Sequence, residues 1–85
     1  MLIQASDVDI QAVSDGYVVY QSSSDRVHYL NRTAALLFEL CDGKRDAEDI
    51  VAVAAEAFGL GSSAYGEIRA GLDSMVRAGL LMEQA

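Results

Sequence analysis

Eighty-five residues make one domain, 1–85, with a small core, because a chain of this length buries only about 60–65% of the surface its unfolded form exposes. That leaves little volume for a deep catalytic pocket, and the 52% hydrophobic content excludes a disordered chain. Thirteen acidic residues against six basic ones give a formal charge of −7, which argues against nucleic acid and anionic membrane surfaces as partners.

Residues 1–6 read as a short arm. Val8, Ile10 and Ala12 alternate with Asp9 and Gln11, the period-2 pattern of a half-buried strand. Ser14-Asp15-Gly16 follows, and Asp-Gly is favoured in tight hairpins because the turn needs positive φ. Tyr17-Val18-Val19-Tyr20 is a second strand with β-formers on both faces, and Gln21 to Asp25 is a polar loop. Arg26 to Leu30 completes an antiparallel meander in which the second strand sits between the first and third. Both outer strands then keep an open edge, whose N–H and C=O groups invite another chain to pair.

Asn31 caps the first helix, Arg32 to Cys41, with Leu36, Leu37, Leu40 and Cys41 as the expected apolar stripe. The third strand thus hands over to a helix without a loop. Gly43 suits the left-handed position that closes this helix. Asp46 caps the second helix, whose expected core face is Ile50, Val53, Ala54, Ala57 and Phe58. Gly59 to Ser63 breaks the pattern. The third helix spans about Ala64 to Ala78 with Tyr65, Ile68, Leu72, Met75 and Val76 as its stripe, and Leu80-Leu81-Met82 packs back onto the domain. The order is βββααα, an α+β fold.

Catalytic constellations are absent from this reading. His28 is the only histidine and Cys41 the only cysteine, and Cys41 falls on an apolar stripe where a free thiol acts as a small hydrophobe. Two such residues are too few for a zinc site. Asp46, Glu48 and Asp49 are explained by capping and the helix dipole. Asp7 and Asp9 stand where a signal peptide has an apolar run, and no stretch of about 18 apolar residues exists to span a membrane, so a cytoplasmic location is expected. What remains is a groove between the third strand, Arg26, Val27, His28, Tyr29 and Leu30, and the third helix, through Ile68, Arg69, Leu72, Met75 and Val76. An open strand edge beside an apolar helix face is what strand addition by a peptide requires.

Several runs together resemble the PqqD family: Gly16 to Tyr20, Val27 to Ala35, Cys41 to Arg45, Glu48-Asp49-Ile50, and Gly71 to Leu81 with its closing Gly-Leu. The resemblance covers Val8 to Leu81 in order. It implies a winged-helix-like domain that captures the leader part of a ribosomally made precursor peptide against the third strand and third helix. The domain then presents the precursor to a modifying enzyme, often a radical S-adenosylmethionine enzyme, or to a leader peptidase. It implies no cofactor and no chemistry of the domain's own. Gly66 and Gly71 depart from a good helix, each costing roughly 1 kcal/mol relative to alanine. Two other readings stay open: a winged-helix DNA binder, for which the third helix offers only Arg69 and Arg77 beside Glu67 and Asp73, and an interaction subunit pairing through its free edge.

Overall fold

The computed structural model describes residues 1–84. Five strands and three helices follow one another as β1 (Leu2–Gln4), β2 (Val8–Val13), β3 (Gly16–Gln21), β4 (Arg26–Asn31), α1 (Arg32–Leu40), α2 (Ala47–Ala57), α3 (Tyr65–Arg77) and β5 (Leu81–Glu83), with one 3-10 turn at Ser62–Ala64. The expected meander is present as an antiparallel sheet of order β2-β3-β4, and the three helices follow it, so the fold is the α+β arrangement that the hydrophobic patterning indicates.

The first residues are not a loose arm. β1 pairs antiparallel with β5, Ile3 opposite Met82, which joins the two ends of the chain in a second, two-stranded sheet. Leu2 and Leu81 are buried there, and the Gln4 side chain donates to the Phe38 carbonyl at 2.9 Å. Strands of three residues are too short to display a period, so they carry no signal until their partner is known.

Both predicted helix caps form. The Asn31 side chain accepts from the Ala34 N–H at 2.9 Å and Asp46 from the Asp49 N–H at 2.8 Å. These bonds satisfy N-terminal donors that no helical carbonyl reaches.

The buried faces are rotated relative to the expected stripes. On α1, Ala35, Leu37, Phe38 and Cys41 are buried while Leu36 and Leu40 are only half-buried. α1 touches β3, β4, α2 and α3, so it buries a wide arc, and Phe38 (0% exposed) lies at its centre. On α2 the core face is Ile50, Val51, Ala54 and Ala55, whereas Val53 and Phe58 are exposed. On α3, Ile68, Leu72 and Met75 are buried, while Tyr65 and Val76 face outward. An alanine-rich helix offers two apolar faces of similar quality, and the large residue on the wrong one misleads the pattern.

Gly16 has a role that the turn signal does not capture. It is the first residue of β3 rather than a turn centre, and a Cβ there would lie 1.8 Å from the Leu30 carbonyl oxygen. Only glycine lets β4 approach at this point.

Candidate functional site

The Leu30 carbonyl pointing at Gly16 fixes how β4 uses its backbone. In an antiparallel ladder a residue's N–H and C=O point to the same side, and the side alternates along the strand. Leu30, His28 and Arg26 therefore turn their backbone groups inward to their partners Tyr17, Val19 and Gln21 on β3. Val27 and Tyr29 turn theirs outward, to an edge that no strand among the described residues covers. Val27 and Tyr29 are the residues with free backbone donors and acceptors.

Side chains follow the opposite bookkeeping. Val19 is fully buried and Leu30 nearly so, which puts Arg26, His28 and Leu30 on the helix-facing side of the sheet. Val27 and Tyr29 project from the other side, 67% and 56% exposed. His28 is half-buried, and its Nε2 is enclosed without a hydrogen-bond partner.

The second wall is α3, held at both ends. Near its C-terminus the Gln21 side chain donates to the Gly79 carbonyl at 2.9 Å, and Gln21 is paired with Arg26. Near its N-terminus, Ala64, Glu67, Ile68 and Gly71 share a depression of about 300 Å³ with Asn31, Thr33, Ala34 and Leu37. α3 therefore runs alongside β4 in the opposite direction, with α1 as the floor. A Cβ at Gly71 would meet Leu37 Cδ1 at 3.5 Å, an ordinary contact, so the missing side chain widens the groove rather than preventing a clash. Gly66 has open space around it, and its lack of a side chain has no packing reason.

Of the residues the sequence placed in this groove, Leu30, Ile68, Leu72 and Met75 are buried in the core. Arg26 and His28 lie on the helix-facing side of β4, and Val27 and Tyr29 supply the open backbone edge. Arg69 and Val76 lie elsewhere. Seven residues apart, they occupy one face of α3, turned from the face that carries Gly71. Arg69 pairs with Asp73 at 3.5 Å and lines depressions with Glu48 and Val51 on the α2 side. Sequence reasoning missed Ala64, Glu67 and Gly71, whose signal is a line of small residues (Ala64, Gly71, Ala78) at heptad spacing.

Chemistry has little to work with. Cys41 is fully buried, its thiol donates to the Leu37 carbonyl at 3.1 Å, and burial pushes it up to about 11, far from a nucleophilic thiolate. Among the described residues no three His, Cys, Asp or Glu side chains gather as a set that could hold a metal ion. Among the described residues no helix is long and apolar enough to cross a membrane.

The sequence profile of coenzyme PQQ synthesis protein D (PqqD) matches residues 16–81, which include β3, β4 and all three helices. The chain belongs to the PqqD family. Both groove walls thus lie within the matched region, and β1 and β2 precede it. Among solved structures, one titled "TbiB1 in Complex with the TbiA(beta) Leader Peptide" is similar with a TM-score of 0.79 over 98% of each chain, at 15% identity. That likeness extends the shared fold to β1 and β2. No curated protein sequence matches at a significant level.

Proposed function

We propose that this PqqD-family chain binds the leader segment of a ribosomally made precursor peptide as an added strand on β4, against α3. It then presents the rest of the precursor to a modifying enzyme, and it performs no chemistry itself. The observation that carries this reading is the open edge at Val27 and Tyr29 on a strand whose last residue, Asn31, lines a depression walled by α3. Backbone bonds to these two residues supply affinity for any extended peptide, and the groove selects among side chains. A bound strand directs alternate side chains toward the helix-facing side of β4, the side on which Arg26 and His28 lie. The family membership and the leader-bound TbiB1 support the same role. The modifying enzyme belongs to the proposal, whether a radical S-adenosylmethionine enzyme, another modifying enzyme or a leader peptidase, as does a cytoplasmic setting. Nucleic acid is disfavoured by the −7 charge.

Hydrogen exchange on the chain with synthetic leader peptides, drawn from short reading frames that neighbour its gene, tests the mechanism residue by residue. The Val27 and Tyr29 amides gain protection on binding, whereas the His28 amide, already bonded to β3, changes little. Protection appearing on β2 instead, or on neither edge strand, would overturn strand addition at β4.

A further inference from the structure

The side of the sheet that faces away from the helices is an unpartnered apolar surface. Register and alternation place nine residues on it in three rows: Asp9, Tyr20 and Val27, then Gln11, Val18 and Tyr29, then Val13, Gly16 and Asn31. Tyr20, Val27, Tyr29 and Val13 are 37%, 67%, 56% and 40% exposed, and Val18 lies half-buried between them. Exposed side chains of this size are ordinary when scattered singly, but here they adjoin one another on one sheet face.

Two of the rings are tied down. The Tyr20 hydroxyl donates to Asp25 Oδ1 at 2.8 Å, and the Tyr29 hydroxyl reaches the Asp15 carbonyl at 3.4 Å. Both bonds draw an acidic residue to the rim. From Asp7 to Asp25 the chain carries four carboxylates, Asp7, Asp9, Asp15 and Asp25, and neither Lys nor Arg. Among the described residues none of the four is in a salt bridge, since the ion pairs of the chain involve the N-terminus, Arg45 and Arg69. The face is a preordered aromatic and aliphatic patch with an acidic rim, whose one flanking cation is Arg26 beside Asp25.

We infer that this outer sheet face docks the modifying enzyme, through an apolar surface on that enzyme rimmed by Lys and Arg. The inference rests on the proposed function for the nature of the partner. Charge selects the occupant: a second copy would set like carboxylate rims against one another, at a cost, whereas a basic rim is attracted and steered. Continuity gives the surface a purpose. Val27 and Tyr29 carry both the open backbone edge and two of the exposed side chains, so a strand added to β4 prolongs this face, and every second leader side chain joins it. An enzyme seated there touches the chain and its bound leader together, and it favours the loaded over the unloaded state.

The test titrates candidate modifying enzymes from the neighbourhood of this chain's gene against the full chain, with and without the synthetic leader, and measures leader affinity separately. Tyr20→Ser and Val13→Ser, both away from the leader edge, each weaken enzyme binding about tenfold while leader affinity stays within about twofold. Asp9→Lys slows association and flattens its dependence on salt. Unchanged enzyme affinity in the Tyr20→Ser, Val13→Ser double variant, with its circular dichroism intact, overturns the inference. So does sedimentation showing a wild-type dimer that Tyr20→Ser dissolves, which would give the face to a second copy. Failure of the leader to bind the wild-type chain counts against strand addition, and the titration of the unloaded chain then decides the outer face alone.

Discussion

β2 and β4 are the two edges of one sheet, and they differ in what lies beside them. β2 is exposed at every position after Val8, which is its one residue packed against the core among those described. Its outward backbone groups, at Val8, Ile10 and Ala12 by the same alternation, face open solvent. β4 offers the same kind of edge, but α1 packs against it and its last residue, Asn31, shares a depression with the N-terminal half of α3. An open edge by itself binds strands without discrimination, and is a hazard that proteins blunt. The second wall turns such an edge into a site, because it reads side chains that the backbone ladder ignores. On the proposed function, the two edges differ in selectivity and not in hydrogen-bonding capacity.

The largest effect is expected where the two edges depend on a single residue. Gly16 begins the central strand, pairs with Val13 on β2 and Asn31 on β4, and has no room for a Cβ beneath the Leu30 carbonyl. Gly16→Ala should lower stability by about 3 kcal/mol or more, at the high end for a point substitution, as read from urea denaturation. A loss below about 0.5 kcal/mol would mean that β4 is free to shift, and with it the assignment of Val27 and Tyr29 as the open residues.

Proline then separates the edges. Tyr29→Pro removes an outward N–H from β4 and should weaken leader binding by at least about thirtyfold, while Tyr29→Thr, which keeps the N–H, should stay within about threefold. Ile10→Pro makes the same change on β2, where proline at an edge is tolerated, and should leave affinity within about twofold. Fluorescence anisotropy with a labelled leader gives all three values, after circular dichroism has established folding. Equal losses for Tyr29→Pro and Ile10→Pro would erase the distinction between the edges.

How much of this was legible in the sequence follows from the range of the forces involved. The meander, both N-caps and the helix order are local signals of period, turn and cap, and they read directly: Asn31 and Asp46 do what their positions promise. Which face of a helix is buried depends on neighbours remote in sequence. Phe38 is fully buried while Phe58, which closes α2, is exposed, and an apolar ring in a helical sequence does not say which side its neighbours will cover. Arg69 adjoins Ile68 in sequence, but one residue is about 100° of rotation on a helix, which turns Arg69 away from the side on which Ile68 is buried. β1 escaped notice because its partner is some eighty residues away. The open edge was legible as an edge; which of its N–H groups face outward was not, until the Leu30 carbonyl was located.

Gly71 sharpens the comparison from the side of the second wall, since β2 has no counterpart to it. Gly71→Ala should raise stability by about 0.5–1 kcal/mol, because alanine is the better helix former and its Cβ meets Leu37 at an ordinary 3.5 Å. Gly71→Leu carries a larger side chain into the groove and should cut leader affinity about tenfold without unfolding the chain. Stability and binding then move in opposite directions at one position. Affinity unchanged in Gly71→Leu would remove α3 from the site and leave β4 no more selective than β2.

The smallest effect is expected at Arg69, and it discriminates between two placements of the same helix. If α3 faced the groove with its charged side, Arg69→Glu would reverse a charge against the peptide and weaken binding severalfold. In the structure Arg69 points to the α2 side, beside Glu48 and 3.5 Å from Asp73, and both it and Asp73 are about half exposed. The reversal places a carboxylate near two others, a local repulsion that solvent and salt largely screen. Leader affinity should change by less than about twofold, with any difference shrinking further as salt is raised. Glu67 supplies the contrast, because it lines the depression with Asn31 and Gly71 on the groove side. Glu67→Lys should therefore alter leader affinity more than Arg69→Glu does, in a direction set by the charge of the leader residue that passes Asn31. The opposite ranking in anisotropy titrations would rotate α3 by half a turn and move the second wall of the site away from β4.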